Sequence, residues 1–246
     1  MKTLLIGNGY WGNIVKSKLE LATTLVCVAD SKSNIDDILI NNEIDYVFVC
    51  SSIESHYEIV KKCINHKKNI FCEKPFTGNL QNSIELYDLA ALNNVNIFVD
   101  NLFLYRNEFL NIKTKPFKNI QFIWNKKDPL CKENLLDNLM YHDIYLLIEM
   151  TNNNWNLLDY NINNSFLNIK MINNNIIANF NYNRNFDKKQ KLIIIDDLVV
   201  DLSYPTNDPL FEIIRKIIDK NIDYTYNKNI TLETLKILQN IKNTQP

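Results

Sequence analysis

Only four of the 246 residues are glycine, against roughly 7% in average proteins. A chain this poor in glycine can have few backbone positions that need a residue without a Cβ. Charge of one sign is also missing: 27 Lys and Arg face 28 Asp and Glu, for a net charge of −1. That balance argues against a polyanion or an anionic membrane surface as the main partner, so no nucleic acid and no membrane are expected. No apolar run approaches the roughly 18 residues of a membrane span. Met1 to Ile6 lead straight into the first apolar run, which leaves no room for a cleavable leader, and a cytoplasmic location is expected. The five cysteines show no C-x-x-C pairing, so they are read as reduced thiols with no metal site.

Three of the four glycines, Gly7, Gly9 and Gly12, stand together in G-N-G-Y-W-G. The apolar run Thr3–Ile6 before them reads as a buried strand, and Asn13–Leu21 after them reads as a helix. This is the strand–turn–helix setting of a dinucleotide-binding turn. Gly7 allows the tight turn, Gly9 lets the backbone approach a pyrophosphate, and Gly12 lets helix and strand pack closely. Gly7, Asn8, Gly9, Tyr10, Trp11 and Gly12 are therefore candidate cofactor-binding residues, with free helix N–H groups aimed at phosphates. A second apolar run, Thr24–Ala29, ends at Asp30. A carboxylate there accepts hydrogen bonds from both ribose hydroxyls and repels a 2′-phosphate, which favours NAD over NADP. Lys32 nearby softens that preference.

The first hundred residues alternate strands (2–6, 24–29, 46–50, 69–72, 95–99) with helical patterns (13–21, 35–42, 56–66, 80–92). Apolar strands in a βα rhythm predict a doubly wound parallel sheet, a Rossmann-type α/β domain over 1–103. Ligands bind beyond the carboxyl ends of such strands, so Gly7, Asp30, Ser51 and Glu73 should gather along one crevice. After Phe103 the rhythm changes to a strand at 119–124, a long helix at 133–150, and strands at 166–172, 175–182, 190–195 and 197–202. Helices at 208–219 and 231–242 close the chain. Residues 104–246 are expected to form a smaller α+β domain with a mainly antiparallel sheet. Phe166, Ile169, Ile176, Phe180, Tyr182, Ile193 and Ile195 suggest an apolar sheet face covered by another copy, giving a homodimer or homotetramer.

The motifs resemble one family. Y-V-F-V-C-S-S-I-E-S-H-Y-E-I-V (Tyr46–Val60) is similar to the strand, loop and H-x-x-I helix of the glucose-fructose oxidoreductase / inositol dehydrogenase family. F-C-E-K-P-F (Phe71–Phe76) resembles its E-K-P motif, L-Y-R (Leu104–Arg106) its crossover, and N-L-M-Y-H-D-I-Y (Asn138–Tyr145) its D-x-G-x-H-x-x-D helix. Family members run longer, so the second domain here is trimmed. The resemblance implies an NAD-dependent oxidoreductase acting on a secondary hydroxyl or keto group of a sugar, cyclitol or nucleotide-sugar. It makes Lys74 catalytic, with a cis Lys74–Pro75 bond and contacts to both cofactor and substrate, and places Ser51, Ser52, His56 and Glu73 at the cofactor. It assigns Arg106, Asn138 and His142 to substrate, with His142 as general acid/base and Tyr145 assisting. On a regular helix Asn138, His142, Tyr145 and Glu149 would share one face. Asn138 stands where the family has Asp, Met140 where it has Gly, and Tyr145 where it has an acid. Those departures keep open a non-catalytic dinucleotide-binding sensor or regulator. A reductase of another small carbonyl or imine compound is the other alternative.

Overall fold

A computed structural model describes residues 1–128, 131, 133–151 and 154–244. They form two compact units, Met1–Leu102 with Pro209–Leu235, and Phe103–Asp208 with the residues from Lys236 onward.

The first unit is built on β1 (Lys2–Ile6), β2 (Thr24–Ala29), β3 (Tyr46–Val49), β4 (Asn69–Cys72) and β5 (Ile97–Val99), all parallel in the order β2-β1-β3-β4-β5. Helices α1 (Tyr10–Ala22), α2 (Ile35–Asn41), α3 (Ile53–Asn65) and α4 (Leu80–Leu92) make the crossovers. Every residue of β3 is buried, which is why the strand reads as a continuous apolar run rather than an alternation. Phe48 stacks on Phe71 at 5.0 Å, and Phe71 on Phe98 at 6.0 Å, one ring from each of three neighbouring strands. Asparagine does work that glycine and serine usually share. Asn34 and Asn79 cap α2 and α4 by accepting backbone N–H bonds. Asn94 (φ 55°) and Asn174 (φ 51°) take left-handed positions, which Asn tolerates better than most side chains.

A single boundary after residue 103 does not describe the units: residues 209–235 return to the first one. α7 (Pro209–Ile218) buries Leu210, Ile213, Ile214 and Ile217 and packs on α1. The first part of α8 (Tyr224–Asn243) closes the open edge of β5, where the Asn227 side chain accepts from Val99 N–H at 2.8 Å and donates to Val99 C=O at 2.9 Å. An amphipathic pattern tells that a helix has a buried face, but not which unit supplies the other side.

The second unit holds a six-stranded sheet in the order β11-β10-β6-β9-β8-β7. Its strands are β6 (Asn119–Lys127), β7 (Asn156–Ile162), β8 (Phe166–Asn173), β9 (Ile176–Asn183), β10 (Asn185–Ile195) and β11 (Leu198–Asp201). Only the β6–β9 pairing is parallel among these. β7 was not expected from its sequence, N-L-L-D-Y-N-I, which lacks alternation; pairing along β8 makes it a strand. A short helix α5 (Asn107–Leu110) precedes the sheet. The expected helix over 133–150 is instead a π-helical stretch, Leu136–Met140, running into α6 (Tyr141–Met150).

The apolar sheet face offered for a second copy is corrected by the register. Ile169, Phe180, Tyr182, Ile193 and Ile195 are all buried in the core, while Phe166 and Ile176 are half-buried. Side chains alternate between faces with period two, so the opposite face carries the intervening residues, among them half-buried Ile123, Phe166, Ile172, Leu192 and Ile194. There Gln121 donates to Asn181 at 2.8 Å and Asn181 to Asn168 at 2.9 Å, an amide ladder across three strands. The five core residues therefore do not form an exposed face for another copy.

Candidate functional site

At the carboxyl end of β1 the chain turns at Gly7, with φ +101°. A Cβ at Gly7 would lie 2.5 Å from the Cys50 carbonyl oxygen and 2.7 Å from the Ser51 nitrogen, and the φ itself is strained for any L side chain. A Cβ at Gly12 would collide with the Gly7 carbonyl, so helix and turn could not approach as they do. Gly9 differs: a Cβ there meets nothing within 4 Å, so that side of the turn is open. Gly9 is the N-cap of α1, which begins at Tyr10, earlier than the sequence pattern suggested. The first turn carries no acidic side chain, so nothing intrinsic competes for an anion at this helix N-terminus. Asn13 ties the turn down by donating to the Asn8 carbonyl at 2.8 Å and the Gly9 carbonyl at 3.0 Å.

Asp30 follows β2 in a tight turn. Its Oδ1 accepts from Lys32 N–H at 2.9 Å and from Ser33 Oγ at 3.0 Å. Those bonds, the Lys32 N–H first, hold its carboxyl below the usual carboxylate range. Ser51 and Ser52 follow β3, and Ser52 is the N-cap of α3. His56 is 1% exposed. Its Nδ1 faces the carbonyls of Pro75 (3.1 Å) and Phe76 (3.2 Å), and its Nε2 faces that of Ser51 (3.0 Å). The ring joins the two loops through their backbone carbonyls.

Glu73 and Lys74 follow β4, and Lys74–Pro75 is a cis bond. Trp11 Nε1–H donates to Glu73 Oε1, tying the glycine turn to the E-K-P loop. Lys74 N–H donates to Glu73 Oε2 at 3.3 Å. Asp100, at the end of β5, donates its backbone N–H to the Cys72 carbonyl at 2.9 Å and so stands beside the Glu73 carboxyl. Sequence reasoning missed Asp100, although it continues the series of polar residues that follow strand ends. Gly7, Asp30, Ser51, Glu73 and Asp100 do stand at the carboxyl ends of β1 to β5.

The second unit carries the other candidates. His142 is 9% exposed, and its Nδ1 lies 3.0 Å from the Tyr145 hydroxyl. That hydroxyl accepts from Phe103 N–H at 3.1 Å, so its own proton is available to Nδ1. The neutral ring then carries its proton on Nε2, an assignment from the bonding pattern. The His142 ring also packs edge-on to Phe103 at 4.7 Å and against Trp124 at 5.4 Å. Asn138 donates to Glu133 Oε2 and lies 3.6 Å from Cys131 Sγ. The wider π turn before α6 shifts it out of the regular four-residue step to His142. Arg106 is buried, its guanidinium 3.8 Å from the Phe103 ring centroid and Nη1 bonded to the Leu202 carbonyl at 2.5 Å. These contacts hold the Arg106 side chain against its own unit.

One cluster was not foreseen. Asp143 is buried, its Oδ1 2.5 Å from Lys191 Nζ and its Oδ2 accepting from the Tyr182 hydroxyl at 2.7 Å. Lys191 Nζ lies 3.6 Å from the Trp124 ring centroid and 4.7 Å from that of Phe103, the two rings that also hold His142. Forty-eight residues separate Asp143 from Lys191, and no local pattern links them.

Residues 11–101 match the profile of the Gfo/Idh/MocA oxidoreductase family, NAD-binding Rossmann fold. An uncharacterized oxidoreductase of Schizosaccharomyces pombe is 32% identical over 81 residues, a match spanning 33% of this chain and 22% of the relative. The chain therefore matches only about a fifth of that relative's length. UDP-N-acetylglucosamine 3-dehydrogenase from Acidithiobacillus ferrooxidans has a similar fold, with TM-score 0.82 and 15% identity over 98% of this chain and 96% of that one. The WlbA dehydrogenase from Thermus thermophilus, solved with NAD and UDP-GlcNAcA, also gives TM-score 0.82, at 15% identity over 100% and 95% of the two chains. No helix among the described residues is long and apolar enough to cross a membrane.

Proposed function

We propose, for a chain that belongs through residues 11–101 to the Gfo/Idh/MocA oxidoreductase family with its NAD-binding Rossmann fold, that it moves a hydride between NAD and a secondary hydroxyl or keto group of a small molecule. The observation that carries this reading is the glycine turn, closed to any side chain at Gly7 and Gly12 and open at Gly9. Those residues fit a dinucleotide. Backbone N–H groups of Asn8, Gly9, Tyr10, Trp11 and Gly12 would hold the pyrophosphate, and Asp30, Ser51, Ser52 and Glu73 would line its length. When bound, the nicotinamide supplies the carbon that gives or takes the hydride.

The chain's own residues handle the proton. Lys74 Nζ is the proposed site that takes the hydroxyl proton in oxidation and returns it in reduction. His142 Nε2 is a second acid–base candidate on the other unit, with Tyr145 holding Nδ1. Arg106, which bonds the Leu202 carbonyl, and Asn138, which bonds Glu133, are proposed substrate contacts. For the substrate, a sugar, cyclitol or nucleotide-sugar is proposed, and the two fold neighbours support the nucleotide-sugar. One is by name a UDP-N-acetylglucosamine dehydrogenase, and the other holds UDP-GlcNAcA. Incubating the protein with NAD and a panel of UDP-sugars and inositols should give reduced nicotinamide with at least one. Tight NAD binding with no turnover on any panel member would favour the dinucleotide sensor, the reading that Asn138, engaged with Glu133, keeps in play.

NAD is proposed over NADP because the Asp30 carboxylate is held ionised at the ribose end of the turn. Hydrogen bonds to a charged group are worth about 1.5–3 kcal/mol. Asp30→Ala should therefore weaken NAD about 10- to 100-fold while NADP binding holds or improves. Titrations with both dinucleotides measure this, and stronger NADP binding by the unaltered protein would refute it.

A further inference from the structure

β4 and β5 run parallel with Cys72 opposite Val99, so the next residues, Glu73 and Asp100, leave adjacent strand ends side by side. Strands in a sheet lie about 4.7–4.9 Å apart, which brings the two carboxyl groups within reach of a hydrogen bond, and each acts on the other as a near neighbour. A hydrogen bond between two carboxyl groups needs a proton, since ionised carboxylates only accept. The surroundings leave little other choice. Trp11 Nε1–H already occupies Glu73 Oε1, and Lys74 N–H approaches Oε2 at 3.3 Å. Asp100 is 2% exposed, and its Oδ1 meets no hydrogen-bond donor among the described residues.

The titratable groups facing the pair are Lys74, next in the chain to Glu73, and the thiols of Cys50 on the β3 end and Cys72 on the β4 end. Burial pushes both thiols up, so they stay neutral and offer no counter-charge. Lys74 is the cation that acts on the pair.

We propose that Glu73 and Asp100 hold a single shared proton at neutral pH and serve as a proton-holding site inside the protein beside Lys74. Asp100 is then a positioning residue that acts through Glu73 and Lys74, setting the charge against which Lys74 gains and loses its proton. This last part rests on the proposed role of Lys74. The electrostatics agree. Burial, ahead of the opposing hydrogen bond from Glu73 and the charge of Lys74, raises Asp100 to about 6. Burial and the negative charge of Asp100 carry Glu73 well above the carboxylate range. Such a pair titrates as a unit.

Infrared spectra of the cofactor-free protein test the shared proton directly. The absorption of a protonated carboxyl should persist in the unaltered protein at neutral pH, where surface carboxyls are ionised, and should be lost in Asp100→Asn. Stability gives a second readout. A carboxyl raised by folding contributes its full stability below its ordinary value of 3.8 and loses it as pH rises through about 6. The unaltered protein should therefore lose stability across that window relative to Asp100→Asn. A fully ionised spectrum of the unaltered protein at neutral pH overturns the proposal, and that result needs no variant to fold. Persistence of the band in folded Asp100→Asn also overturns it, because burial of Glu73 alone would then hold the proton. With an active substrate in hand, Asp100→Asn should shift the pH limb assigned to Lys74. Failure to turn over any substrate overturns the functional reading and leaves the infrared result standing.

Discussion

A Lys74→Ala variant is expected to bind NAD as the unaltered protein does and to lose turnover by about 10²- to 10⁴-fold, the usual contribution of a positioned acid or base. The expectation follows from where Lys74 stands. It stands at the end of β4, beside the Glu73 carboxyl that Trp11 ties to the glycine turn. The turn itself contains no part of Lys74, so dinucleotide binding measured by thermal shift should survive. Unchanged turnover in Lys74→Ala, with His142→Ala inactive, would move the proton to His142.

Lys191→Met is expected to destabilise the second unit by about 3–5 kcal/mol, the cost of leaving one member of a buried ion pair without its partner. Asp143 would keep the Tyr182 hydroxyl and lose the Lys191 ammonium, in a site that is 1% exposed. The double variant Lys191→Met with Asp143→Leu should recover most of the loss, because buried ion pairs contribute little net stability over apolar residues of similar volume. The pH dependence has a definite sign. Burial already raises the Asp143 carboxyl, with the Lys191 charge the chief opposing influence. Removing Lys191 raises it further. A raised carboxyl costs nothing below its ordinary value of 3.8, and it costs progressively more as pH rises from there to its folded value. The Lys191→Met defect, read by urea denaturation, should thus shrink in acid and grow toward neutral pH. A defect independent of pH would mean that lost packing on Trp124 and Phe103, rather than charge, dominates.

Much of the first unit was legible in the sequence because its determinants are local. A parallel strand covered on both faces must be apolar throughout, as in Tyr46–Val49, and its limits are marked by polar turns. A turn whose Cβ positions are filled by backbone must use glycine, and a chain with four glycines shows where that is. Asp30 could be read from its distance behind the turn. In the second unit, legibility dropped where structure depends on pairing. β7 exists because β8 does, and the face that Ile169 and Phe180 occupy depends on register, not on their being apolar.

The order of β1 to β5 and their crossover helices, the glycine turn, Asp30 and the E-K-P segment were determined by the sequence alone, because each is a property of neighbouring residues. Only the tertiary structure decided that residues 209–235 belong with the first unit, and that His56 joins two loops through backbone carbonyls. It alone paired Asp143 with Lys191 and set Asp100 against Glu73. Those pairings join residues tens of positions apart. They are held by burial, which raises the cost of an unpartnered charge and so selects which distant groups must meet.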